Sequence, residues 1–100
     1  MLKWAFMFVQ SDADSQKSRA TVNTPTSNLT VIGVKDHNEA AKTAKSLVGE
    51  GVKFIELCGG FGPVGTAKIL EAVGDQVPVG SISYGVESMG SMLAVLKELE

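Results

Sequence analysis

An order of patterns constrains this chain more than any single motif. An apolar run, KWAFMFV at 3–9, comes first, and three apolar segments follow, each leading into an amphipathic one. LTVIGV at 29–34 precedes a helical pattern opened by Asp36, VKFIEL at 52–57 precedes one opened at Pro63, and VPVGSIS at 77–83 precedes one opened at Ser88. Strands that alternate with helices lie parallel in one sheet, with right-handed crossovers. The almost continuously apolar character of 3–9 suits a strand buried on both faces, inside the sheet. The expected fold is one α/β domain over residues 1–100. It is a small, open, mostly parallel sheet of four to five strands with three helices, Rossmann- or flavodoxin-like.

Local signals fill in this frame. Asp36 with Glu39 three residues on is a capping-box pattern. Ala40, Ala44, Leu47 and Val48 then share one helical face, and Gly49 and Gly51 stop the helix. Pro63 suits a first helical position, with Ala67, Leu70 and Val73 as the inner stripe and Gly74 as the stop. Met89, Met92, Leu93, Leu96 and Leu99 line the last helix, with Ser88 as its cap. Residues 10–19 are polar and aperiodic, while ATVNT, PTSN and LTVIGV between 20 and 34 suggest a hairpin.

If the 29–34 strand lies on one side of the first strand and the 52–57 strand on the other, the order reverses there, at the kind of switch point where open α/β sheets bind ligands. Three helices do not readily cover both faces of such a sheet. Either the 10–28 segment or a second subunit covers the remainder. A homo-oligomer is expected, with Met89 and Met92 as adaptable contacts.

Composition narrows the partners. The formal charge is −2 and the nine Lys and Arg residues are scattered, so no nucleic-acid footprint is present. The apolar run from Trp4 to Val9 is too short to span a bilayer, and no membrane association is expected. The single Cys58 has no internal disulfide partner, which favours a reducing, cytoplasmic setting.

The chemistry-bearing residues gather at strand-to-helix junctions. Gly60-Phe61-Gly62-Pro63-Val64-Gly65 has the G-x-G-x-x-G spacing of dinucleotide sites. The helper acid expected about 20 residues on is missing, however, and Pro63 removes one N–H from the turn. The sequence specifies no cofactor. A small anion, phosphate or carboxylate, held by Gly59, Gly60, Gly62, Val64 and Gly65 at a helix start is one reading. A left-handed turn with close helix–strand packing is the other. Glu56, on an apolar strand face, is a candidate general acid or base, or a carboxylate at a wet rim. Cys58, just before a helix start, is a candidate nucleophile, or a small buried hydrophobe. Tyr84 and Glu87 come from the third junction and Asp12 from the first, as ligand contacts. His37, the single histidine, shares that edge, but its place after a helix cap puts its imidazole in solvent. No ligand spacing for a metal is present.

The blocks KWAFMFV, VIGVKD, GVKFIELCGGFGP and VPVGSISYGVES span nearly the whole chain. Together the chain resembles a family of short bacterial proteins known only as a domain of unknown function, with ELCGGFGP at 56–63 and YGVES at 84–88 as the most specific parts. The resemblance implies a free-standing α/β domain and transfers no activity, cofactor or catalytic residue. Three functional readings follow from the residues. The first is a small-anion site on the carboxyl edge of the sheet. The second is a non-catalytic homo-oligomeric or partner-binding module. The third is a small lyase, isomerase or hydrolase using Glu56 or Cys58.

Overall fold

In the computed structural model, which describes residues 1–99, the first apolar run becomes the middle strand of the sheet. The strands are β1 (Leu2–Val9), β2 (Arg19–Asn23), β3 (Ser27–Val34), β4 (Ile55–Leu57) and β5 (Val79–Ser81). The helices are α1 (His37–Gly49), α2 (Gly62–Val73) and α3 (Met89–Glu98), with short 3₁₀ turns at Gly59–Phe61 and Val86–Ser88. The order is β2-β3-β1-β4-β5, and only β2 runs antiparallel. The chain is therefore a small α/β protein with an open, mostly parallel, five-stranded sheet and three helices.

The order reverses about β1, with β3 on one side and β4 on the other. The reversal is made by the β2–β3 hairpin rather than by a helix. Its turn is closed by Thr24, whose N–H donates to the Ser27 carbonyl at 2.9 Å. Across the hairpin, Asn28 Nδ2 donates to Asn23 Oδ1 at 2.7 Å.

The two faces of the sheet differ sharply. Strand side chains alternate between faces, and the register puts Ala5, Met7, Ile32, Val34, Ile55 and Leu57 on one of them. All six are fully buried, in one core with Ala40, Ala44 and Leu47 of α1 and Ile69 and Val73 of α2. The other face carries Trp4, Phe6, Phe8, Leu29 and Val31, each only half-buried. The expectation that the first strand is buried on both faces is thus corrected. Both crossover helices pack side by side on one face, and the 10–28 segment extends the sheet sideways instead of covering the other.

The start of α1 follows its sequence signal, whereas Ser88, at the N-cap of α3, makes no side-chain cap bond. Asp36 is the extended N-cap of α1, and its carboxylate accepts from Glu39 N–H at 2.8 Å. The reciprocal half of the box shifts by one residue: Glu39 Oε1 accepts from Lys35 N–H at 3.1 Å and from Ser15 N–H at 3.2 Å. Glu39 thereby ties the loop after β1 to α1. In α2 the buried stripe is Gly65, Ile69 and Val73, whereas Ala67 and Leu70 face solvent. The close approach of Gly65 to α1 sets this rotation, which is about 100° from the expected stripe, with Val73 common to both. No residue of α3 is buried.

Candidate functional site

Parallel pairing brings the ends of β1, β3, β4 and β5 to one rim. Backbone bonds extend this alignment past the strands. Gln10 N–H donates to Val34 O at 2.8 Å, Cys58 N–H to Met7 O at 3.0 Å and Ile82 N–H to Leu57 O at 3.1 Å. The junction residues after β1, β4 and β5 therefore start from fixed backbone positions.

After β4, Cys58 stays extended (φ −69°, ψ 163°) and the chain tightens into the 3₁₀ turn Gly59–Phe61. Phe61 N–H donates to Cys58 O at 3.2 Å, and Gly62 N–H returns to Gly59 O. Gly62 has φ +59° and ψ −176°, a conformation essentially restricted to glycine. It redirects the chain so that Pro63 can enter the first turn of α2. Phe61 is buried and stacks on His37 with ring centroids 5.6 Å apart.

The glycines of the G-x-G-x-x-G string divide by task. Gly65 is buried where α2 meets the start of α1, and a Cβ there would lie 2.7 Å from His37 Nε2. The histidine ring is thus half-buried between Phe61 and Gly65, which corrects the expectation of a solvent-facing imidazole. Gly59 and Gly60 instead face a hollow. A Cβ on Gly59 would meet the Tyr84 ring at 3.0 Å, and one on Gly60 would meet Val9 Cγ1 at 3.1 Å and Cys58 Sγ at 3.4 Å.

That hollow has a volume of about 410 Å³ and is lined by Val9, Cys58, Gly59, Gly60, Tyr84, Met92 and Leu96. It joins the ends of β1 and β4, the segment after β5, and α3. Of the residues singled out in the sequence, Cys58, Gly59, Gly60 and Tyr84 line it together. Gly62, Val64 and Gly65 belong to the first turn of α2 and do not line it; Val64 is 68 % exposed. Asp12 is exposed on the loop after β1, and exposed Glu87 folds its carboxylate back towards Gly85, both outside the hollow.

Glu56 lies on the less covered face of the sheet, opposite Phe6 on one side and Gly80 on the other. It is exposed and opens on a separate hollow of about 210 Å³ with Gly80, Ser81 and Ile82. Glu56 and Cys58 are two residues apart at the end of β4, about 7 Å by strand geometry, but each lines a different hollow.

Sequence reasoning missed Val9, Met92 and Leu96 as lining residues. The available signal was the amphipathic helix directly after the third junction, whose methionines lie within one turn of that junction. A polar cleft of about 390 Å³ between the loop after β1 and α1 was also missed; it includes Ser15, Arg19, Glu39 and Lys42. Its buried Ser15 and the Glu39 carboxylate bond to each other, so they hold the loop in place. Among the described residues, no group of three or more His, Cys, Asp or Glu is placed to hold a metal ion. Among them, too, no helix is long and apolar enough to cross a membrane.

Comparison with known proteins gives a family and nothing more specific. The pattern of a family of unknown function (DUF6506) matches residues 2–97. No curated protein and no solved structure matches the chain.

Proposed function

Because the chain belongs to that family of unknown function, we propose its role from geometry: it binds a small carboxylate or phosphate with an apolar body in the hollow beside Gly59 and Gly60. The observation that carries this reading is the convergence of two junctions and α3 on one concave surface of about 410 Å³. Ligand sites are mostly apolar concavities with a few placed polar groups. Val9, Met92, Leu96 and the Tyr84 ring supply the apolar wall. The polar end comes from the 3₁₀ turn, where the N–H groups of Gly59 and Gly60 have no acceptor within the turn. Glycine at both positions lets the Tyr84 ring and Val9 close in on that backbone, so the walls and the polar end of the hollow lie side by side. Tyr84, whose ring packs against Gly59, brings a further hydrogen-bonding hydroxyl to the lining, and the half-buried Cys58 thiol borders the same space.

Amide NMR titration with inorganic phosphate and with octanoate tests the proposal. The expected result is saturable shifts at residues 58–60, 84, 92 and 96, larger for octanoate because it also fills the apolar wall. Shifts confined to the polar cleft at Ser15 and Lys42, or no shifts with either probe, would overturn it.

A further inference from the structure

The uncovered side of the sheet is the largest apolar feature the ligand reading leaves unused. Trp4, Phe6, Phe8, Leu29 and Val31 lie on it in register, and Phe54 extends it by stacking on Trp4 with centroids 5.0 Å apart. Val22 of β2 continues the same face and is 55 % exposed. The α3 helix also exposes Met89, Leu93 and Val95, and buries none of its residues. Open sheets with parallel strands are normally covered on both faces, and here only one face has its helices.

We propose that a second copy of this chain occupies this surface, as a symmetric dimer in which the bare sheet faces and the apolar stripes of α3 are buried together. The area agrees with that occupant. The chain exposes 6418 Å², whereas a folded monomer of 10.5 kDa exposes about 5,400 Å². The excess, roughly 1,000 Å² by the same scaling, compares with about 800 Å² per partner in a standard stable interface. The radius of gyration, 14.1 Å, also exceeds the roughly 13 Å of a compact chain of this length.

A two-fold contact uses the same patch on both partners, so the patch must complement itself. This one does, since it is apolar through its centre at β1 and β3. Its charged member, Glu56, belongs to β4. Glu56 pairs with Phe6, so an axis on the β3 side of β1 keeps this charge off the apolar centre. The proposal does not rest on the ligand hollow, because neither Val22 nor Leu93 lines it.

Sedimentation equilibrium across the micromolar range, with the fluorescence of the single Trp4, is the test. The expected mass is twice 10.5 kDa, with Trp4 emission moving to the red on dilution as the face meets water. Val22→Lys and Leu93→Glu each alter a residue more than half exposed, so the fold is retained. Each should lower the mass to that of one chain, with far-UV circular dichroism unchanged. A wild-type chain that stays at 10.5 kDa, or a dimer that both substitutions leave intact, would overturn the proposal. The first of these results would leave a different protein as the occupant.

Discussion

At the scale of single residues, two glycines of one string are held for different reasons, and substitution separates them. Gly65→Ala places a methyl group 2.7 Å from the His37 ring in a buried contact. Overpacking of that kind costs about 1–3 kcal/mol. Gly62→Ala meets nothing within 4 Å, yet its φ of +59° makes it costly for backbone reasons, by about 1–3 kcal/mol. Denaturant unfolding should find both variants destabilised. Only Gly65→Ala should be partly rescued by His37→Ala, because removing the ring relieves a clash but not a backbone strain. Equal rescue of both would contradict this division. The spacing of the glycines was legible in the sequence, but their roles were not. A G-x-G-x-x-G string records where side chains are excluded and does not record whether a ligand, a ring or a backbone angle excludes them. Cys58 offers a further check at this scale. Half-buried and bordering the proposed hollow, it should be alkylated more slowly when octanoate is present, whereas unchanged labelling would place the ligand elsewhere.

At the scale of elements, the cap and stop signals were legible because they are local chemistry. Asp36→Ala removes the acceptor of the Glu39 N–H bond and should cost about 1 kcal/mol. The rotation of α2 was less legible. Its sequence offers apolar residues on more than one side, and Ala67, Leu70 and Val73 form a plausible stripe from periodicity alone. The side that faces inward is decided by the fit of Gly65 under His37, a contact between residues far apart in sequence. Ile69→Ala should therefore cost about 2–5 kcal/mol as a core truncation, while Leu70→Ala, at an exposed site, should stay within about 0.5 kcal/mol. Similar losses from the two in thermal or denaturant unfolding would show that the helix sits in another rotation. The strand at 52–57 also narrows to Ile55–Leu57, because only those residues pair on both sides, with β1 and β5.

At the scale of the whole molecule, parallel pairing followed from the pattern, but strand order and coverage did not. The alternation of apolar and amphipathic segments implies parallel strands and a common rim, and the register bears this out. Which face each helix takes depends on the direction of successive crossovers, which no local signal encodes. Here both helices that follow interior strands fall on the same side. The aromatic run of β1 consequently fills the core with only half its residues, and the other half forms a surface. The same topology draws α3 towards the rim, where Met92 and Leu96 complete a hollow begun by Cys58, Gly59, Gly60 and Tyr84. The most direct measurement of that central claim is calorimetric titration of octanoate into the wild-type chain and into Gly60→Val, whose side chain would fill the space between Val9 and Cys58. Saturable binding at one site per chain is expected in the wild type, with its loss in a folded Gly60→Val. Equal binding by both proteins, or none by the wild type, would contradict it.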